Sequence, residues 1–208
     1  MRALAEAPLM LMNYAGIQFE YLMSWEYFDE DWENVKPKIT FKQLPVLVID
    51  DEHQIAQSTS IMRFLQKLAG LEPQDPIVAA KADAILESAQ ELFRPLNPTV
   101  NFAIGEDFES KRKSMLPDLT SRFDDFNRAL VESGTKFFTG FDPIACDFTA
   151  YHHLDLSRLL DPSLLQNYGR LNEFVSDIEG LESISKYLDS RPKLIDVKTE
   201  PKLVIKGK

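Results

Sequence analysis

Gln43-Leu44-Pro45-Val46-Leu47-Val48-Ile49-Asp50, followed at once by Asp51-Glu52-His53-Gln54-Ile55-Ala56-Gln57-Ser58, is the stretch on which the fold turns. Leu44 to Asp50 reads as a short, almost wholly apolar strand, Asp50-Asp51-Glu52 as a turn, and His53 to Ala56 as a second strand, which together make a hairpin. A proline cannot donate to a ladder, so Pro45 is tolerated because it stands at the opening of its strand. A cis bond at Leu44-Pro45 is a candidate, although only about 5–6% of X-Pro bonds are cis and the residues alone favour trans. Ser58 to Leu68 then places Ile61, Phe64, Leu65 and Leu68 at helical spacing, with Gly70 closing the helix. The Gln57-Ser58 pair therefore sits at a helix mouth, where free N–H groups and the positive dipole end favour a carboxylate. Ser58 can equally cap its helix, and the two roles are compatible.

Upstream, Ala3 to Tyr14 reads as a helix ending at Gly16, and Ile17 to Met23 alternates apolar and polar residues as a strand would. Trp25 to Thr40 is acidic and studded with aromatics, and reads as a long exposed loop. Downstream, Leu71 to Pro76 is the clear linker, and every periodic block from there to Pro192 reads as helix: Ile77 to Phe93, Phe108 to Val131 with Pro117 kinking or splitting it, Ala145 to Leu160, Leu164 to Ile178, and Leu181 to Leu188. The expected organisation is an α/β half over 1–70, a linker over 71–76, an all-helical half over 77–192 and a tail over 193–208. Pro201 to Lys206 has strand composition, but terminal segments are commonly loose tails.

Of 208 residues, 44% are hydrophobic, enough for a sizeable core. Lys and Arg number 23 against 33 Asp and Glu, a formal charge of −10 that repels phosphate backbones and anionic lipid surfaces, so nucleic-acid and membrane partners are not expected. No apolar run approaches the ~20 residues of a spanning helix and no signal peptide is evident, so a cytoplasmic protein is the default. Cys146 is the single cysteine, which excludes an internal disulfide and a cysteine-based metal cluster. It begins a helix, where a thiol can be activated, but beside Phe148 a core position is the simpler reading. His152 and His153 are adjacent on a helix and point about 100° apart, which makes no chelate, so no metal is expected. Phe123, Phe126, Phe137 and Phe138 read as core aromatics, some of which could wall an apolar pocket.

Leu4-Ala5-Glu6-Ala7-Pro8 in the first helix, Asp31-Trp32, Phe41-Lys42-Gln43-Leu44-Pro45-Val46-Leu47, and Gln57-Ser58 with Ile61 and Phe64-Leu65 occur in an order that resembles the cytosolic glutathione transferases, close to their sigma and mu classes. Gly140, Asp147-Phe148 and Ser183 to Pro192 extend the resemblance through the helical half, so that it covers nearly the whole chain to Pro192. It implies a thioredoxin-like amino-terminal domain, without its first strand, followed by an all-helical one. It also implies a dimer that binds glutathione as co-substrate and conjugates its thiolate to a small electrophile. By that resemblance the main chain of Leu44, held by a cis Pro45, meets the cysteinyl part of glutathione. Gln57 and Ser58 grip the γ-glutamyl carboxylate, and Trp32, Lys36 and Gln43 face the glycyl end. An extended tripeptide can add to the exposed edge beside Pro45, main chain to main chain. An acidic residue of a neighbouring subunit reaches the same site in the family, here Glu91, with Gln90 beside it.

Two departures from the family pattern are expected to matter. The family's first strand, with the Tyr, Ser or Cys that activates the thiol, lies before the segment matching Leu4-Ala5-Glu6, and the residues from Met1 are too few to hold it. The recorded chain is then truncated, or something else fills that place, and no catalytic residue is assigned; Tyr14 and Tyr21 belong to other elements. Non-catalytic glutathione binding is therefore the rival reading, and a prostaglandin-type isomerase, as in sigma-like members, a third. The family's Ser or Thr cap before the core-helix Asp is Ile144 here, so the cap at Asp147 is expected to be weaker.

Overall fold

The structure, a computed structural model, describes residues 3–191. The tail over 193–208, with its Pro201 to Lys206 stretch, lies outside the described residues. The chain begins with helix α1 (Glu6–Ala15), which stops at Gly16, a residue at φ 67° that caps it in the left-handed conformation open to glycine. Short helices α2 (Ser24–Phe28) and α3 (Trp32–Val35) and two 3₁₀ turns (Lys36–Lys38 and Thr40–Lys42) lead to strands β1 (Val46–Ile49) and β2 (His53–Ala56). Helices α4 (Ser58–Leu68), α5 (Pro76–Phe102), α6 (Gly105–Ser133), α7 (Ala145–Leu160), α8 (Gly169–Glu179) and α9 (Glu182–Ser190) complete it. No helix among the described residues is long and apolar enough to cross a membrane.

The hairpin forms as its sequence requires: β1 and β2 are antiparallel, with Val46 opposite Ala56 and Ile49 opposite His53, and Asp50 and Asp51 turn the chain at φ 52° and 56°. Asp is among the few non-glycine residues that visit this region readily, because its short polar side chain can bond locally. Helix α7 is the centre of the molecule, buried on all sides from Ala145 to Ser157 and packed against α1, α4, α5 and α8. A central helix meets protein on every face, and the polar residues it buries, such as Asp147 and Ser157, take hydrogen-bond partners inside the chain. Phe123, Phe126, Phe137 and Phe138 are buried as expected, with Phe138 5.1 Å from the Phe174 ring.

Four expectations need correction. Ile17 to Met23 is not a strand: β1 pairs only with β2 among the described residues, and Phe19, Tyr21, Leu22 and Met23 are exposed. Strand composition without a partner ladder leaves the backbone to water. Trp25 to Thr40 is not one loop but a string of short helices, each stopped within two turns. Helix α5 runs on through Pro95 and Pro98 to Phe102, and α6 continues through Pro117, because Leu96, Val100 and Leu119 still face the core on either side of the missing N–H groups. Helix α8 starts at Gly169 rather than Leu164, the intervening residues forming turns.

At the start of α7, Ile144 makes no side-chain cap bond, as a residue without a hydroxyl must. The buried Asp147 is nevertheless fully engaged, its Oδ2 accepting from Ile144 N at 2.9 Å and its Oδ1 from Phe138 N at 3.0 Å. A glutamine from the other half adds to this junction, Gln66 Oε1 accepting from Ala145 N at 3.0 Å. That bond satisfies one of the free donors of α7 and ties it to the C-terminal end of α4.

Candidate functional site

Leu44, Pro45, Gln57 and Ser58 come together at the corner where β2 turns into α4. Gln57 holds φ 71° there, outside the range a side chain prefers, and its carbonyl accepts the first helical bond, from Ile61 N at 2.9 Å. The N–H groups of Ser58, Thr59 and Ser60 precede that first bond and point out of the helix mouth. Gln57, not Ser58, occupies the cap position, so the reading of Ser58 as a simple cap is corrected. Ser58 is the first helical residue, nearly buried at 7% exposure, and its Oγ accepts a hydrogen bond from Gln90 Nε2 at 3.3 Å.

The hairpin brings the other residues to the same corner. Val46 opposite Ala56 is the last pair of the ladder, so Pro45, next before Val46, and Gln57, next after Ala56, adjoin the same end of it. The Leu44-Pro45 bond is cis, which overturns the expectation from base frequency. Leu44 and Gln43 are exposed, and Leu44 lies just outside the ladder, with its N–H and C=O free of strand pairing. The half-buried Trp32 begins α3 and the half-buried Lys36 begins the first 3₁₀ turn. They reach the hairpin through the second 3₁₀ turn, which packs on β2. Glu91 is not brought to this corner in its own chain: it is exposed on α5 and ion-paired with Arg122 of α6.

Behind Ser58 lies a small, partly open cleft little larger than a water molecule, walled by α1, α4, α5 and α7 and including Leu4, Pro8, Ser58, Gln90, Thr149 and His153. His153 is fully buried and without a hydrogen-bond partner among the described residues, its ring 4.9 Å from that of His152 and 5.8 Å from Phe93. Burial, and then the neighbouring His152, hold its pKa well below the usual histidine range, so it is neutral. Among the described residues no group of three or more His, Cys, Asp and Glu gathers to hold a metal ion. Cys146 is a buried core thiol whose pKa is pushed up by burial and then by the Asp147 carboxylate, the opposite of an activated nucleophile. Tyr14 packs 5.3 Å from Phe148 and is likewise shifted upward, by burial and then by Asp142 and Asp147.

Gln90 and His153 were not singled out for this site by sequence. For Gln90 a signal existed: Leu86, Gln90 and Phe93 share one face of α5, so an amide stands in an otherwise apolar stripe.

A family model described as the glutathione S-transferase N-terminal domain matches residues 1–67, and one described as the C-terminal domain of the same proteins matches residues 96–191. Glutathione S-transferase 1 of Ascaris suum is 28% identical over 196 residues, covering 92% of this chain and 93% of that protein. Glutathione S-transferase Mu 1 of Macaca fascicularis is 31% identical over 196 residues, covering 91% and 87%. The crystal structure of the glutathione S-transferase from Ascaris lumbricoides superposes with a TM-score of 0.79 at 27% identity, over 93% of this chain and 94% of that one. The chain belongs to the cytosolic glutathione S-transferase superfamily.

Proposed function

From that membership we propose that this chain binds glutathione across the β1–β2–α4 corner and conjugates its sulfur to a small electrophile held against the helical half. The observation that carries the reading is the meeting of Gln57-Ser58 with Leu44-Pro45 at one end of the hairpin ladder. One charged end of an extended tripeptide then lies at a helix N-terminus while its middle pairs with exposed main chain. Ser58 and the first N–H groups of α4 hold the γ-glutamyl carboxylate, with the Gln57 amide beside them, and Leu44 fixes the cysteinyl main chain. Trp32, Lys36 and Gln43 serve the glycyl end. In conjugation the thiolate forms the S–C bond, and the electron pair leaves with a departing group or moves into the acceptor. The task of the chain is to hold the sulfur in line and exclude water.

We assign the division between the two halves to the region of Gly70, the compartment to the cytoplasm, and the assembly to a homodimer. Phe41 supports the last point: it is 65% exposed on a backbone held at φ 62°, a bare ring kept out at a cost in strain. For Glu91 to serve a neighbouring subunit's glutathione, its pair with Arg122 must give way.

A second reading is glutathione binding without conjugation: Cys146 is a buried core thiol and Tyr14 packs on Phe148, so neither is placed at this corner to activate the sulfur. Both readings require the same binding site, so the test has two parts. Ser58→Ala should weaken glutathione binding about tenfold, the scale of one hydrogen bond to a charged group, with little loss of stability. The wild-type chain should conjugate an activated aryl halide with a KM for glutathione near its Kd. Unchanged binding by Ser58→Ala contradicts the site, while binding without turnover selects the second reading.

A further inference from the structure

We propose that Gln90, on the helical half, is a positioning residue for glutathione: its amide N–H, donated to Ser58 Oγ, turns the Ser58 hydroxyl proton toward the bound carboxylate. The inference rests on the reading of Ser58 as the γ-glutamyl contact.

A serine hydroxyl has one donor and two acceptor positions. In a helix its proton commonly turns back to the main-chain carbonyl four residues earlier, which would spend the donor on the protein. Ser58 is the first residue of α4, and the residue four before it, Gln54, belongs to β2, so no helical turn supplies that acceptor. Gln90 Nε2 instead donates to Oγ at 3.3 Å, occupying a lone pair and leaving the O–H to seek an acceptor elsewhere. The acceptor that the free N–H groups of Ser58 and Thr59 also favour is an anion at the helix mouth. The donation strengthens the hydroxyl as a donor, because each bond in a chain polarises the next. Gln90 can hold this geometry because it is half-buried on α5, between Leu86 and Phe93 on the face turned toward α7.

Two substitutions at this position separate orientation from packing. In Gln90→Met the side chain keeps its length and loses the donor, so the hydroxyl is no longer directed. In Gln90→Glu the carboxylate accepts the Ser58 proton, reversing the bond, and places a negative charge beside that of the ligand. Calorimetric titration of glutathione should show about a threefold to tenfold loss for Gln90→Met and a larger loss, about a hundredfold, for Gln90→Glu, the scales of one neutral hydrogen bond and one charge conflict. Thermal melts should show both variants folded. Titration with a glutathione analogue that lacks the γ-glutamyl α-carboxyl altogether supplies a readout that a packing role would not move: there the ratio of wild-type to Gln90→Met affinity should fall to about one. In the Ser58→Ala background, Gln90→Met should cost nothing further.

Equal affinities of wild type, Gln90→Met and Gln90→Glu for glutathione, with Ser58→Ala still weakened, would overturn the positioning role and leave the site intact. An equal loss for glutathione and the analogue without that carboxyl would also overturn it. Unchanged binding by Ser58→Ala itself would instead remove the reading on which the proposal rests.

Discussion

Arg191 and Glu6, 185 residues apart, form an ion pair in which each side chain is only 8% exposed. The same guanidinium donates from Nη2 to Asp155 Oδ2 at 2.8 Å, and Asp155 in turn accepts from Arg158 at 2.9 Å. The end of α9, the first turn of α1 and the middle of α7 are thereby locked together beside the wall of the cleft. A buried pair adds little over a well-packed apolar replacement, but removing one partner strands the other charge, at a cost of about 3–5 kcal/mol. Arg191→Met should destabilise the chain by that amount in urea unfolding, and a double replacement with Glu6→Gln should recover part of it. A loss below about 1 kcal/mol would show that the carboxylates find other partners.

Asp147 gives the stability a pH dependence of unusual sign. Burial pushes its pKa up from 3.8 to about 6, against the pull of the Ile144 and Phe138 N–H groups. The folded chain therefore holds a proton that the unfolded chain releases. The stabilisation is complete below about pH 3.8 and is lost as pH rises through about 6, a change of about 3 kcal/mol. Asp147→Asn cannot ionise and lacks this term, though it loses one of two acceptors and is less stable at acid pH. The stability gap between wild type and Asp147→Asn should narrow by about 2 kcal/mol between pH 4 and pH 7, measured by denaturant unfolding at each pH. Parallel profiles would contradict the burial argument.

Gln57 at φ 71° carries a strain that glycine would not. Gln57→Gly and Gln57→Ala both remove the amide proposed to meet the γ-glutamyl group, so both should weaken glutathione binding. They differ in backbone only, and the glycine variant should be the more stable by about 1 kcal/mol despite its greater freedom when unfolded. An alanine variant as stable as the glycine one would mean that the corner relaxes.

The parts of the fold that were legible in the sequence are those set by local pattern. Ser58 to Leu68 and Ala145 to Leu160 match their helices residue for residue, and the β1–β2 hairpin falls where the apolar run and the Asp50-Asp51 turn place it. Ile17 to Met23 misled because alternation reports what a strand would bury and not whether a partner strand is present. Pro95, Pro98 and Pro117 misled in the other direction, since tertiary packing carries α5 and α6 past the lost bonds. Leu44, Pro45, Gln57 and Ser58 were singled out through family resemblance, and the hairpin brings them to one corner. Gln90 and His153 reach the cleft only through the packing of α5 and α7 on α4, long-range geometry that spacing along the chain does not encode.

The central claim is that glutathione is held at the corner where the Leu44-Pro45 segment meets Gln57 and Ser58. Isothermal titration of the folded wild-type chain with glutathione tests it without assuming any electrophile. The account predicts one site per chain with a micromolar to low-millimolar Kd, weakened by Ser58→Ala; no detectable heat or competition at tens of millimolar glutathione, with the fold intact, would contradict it.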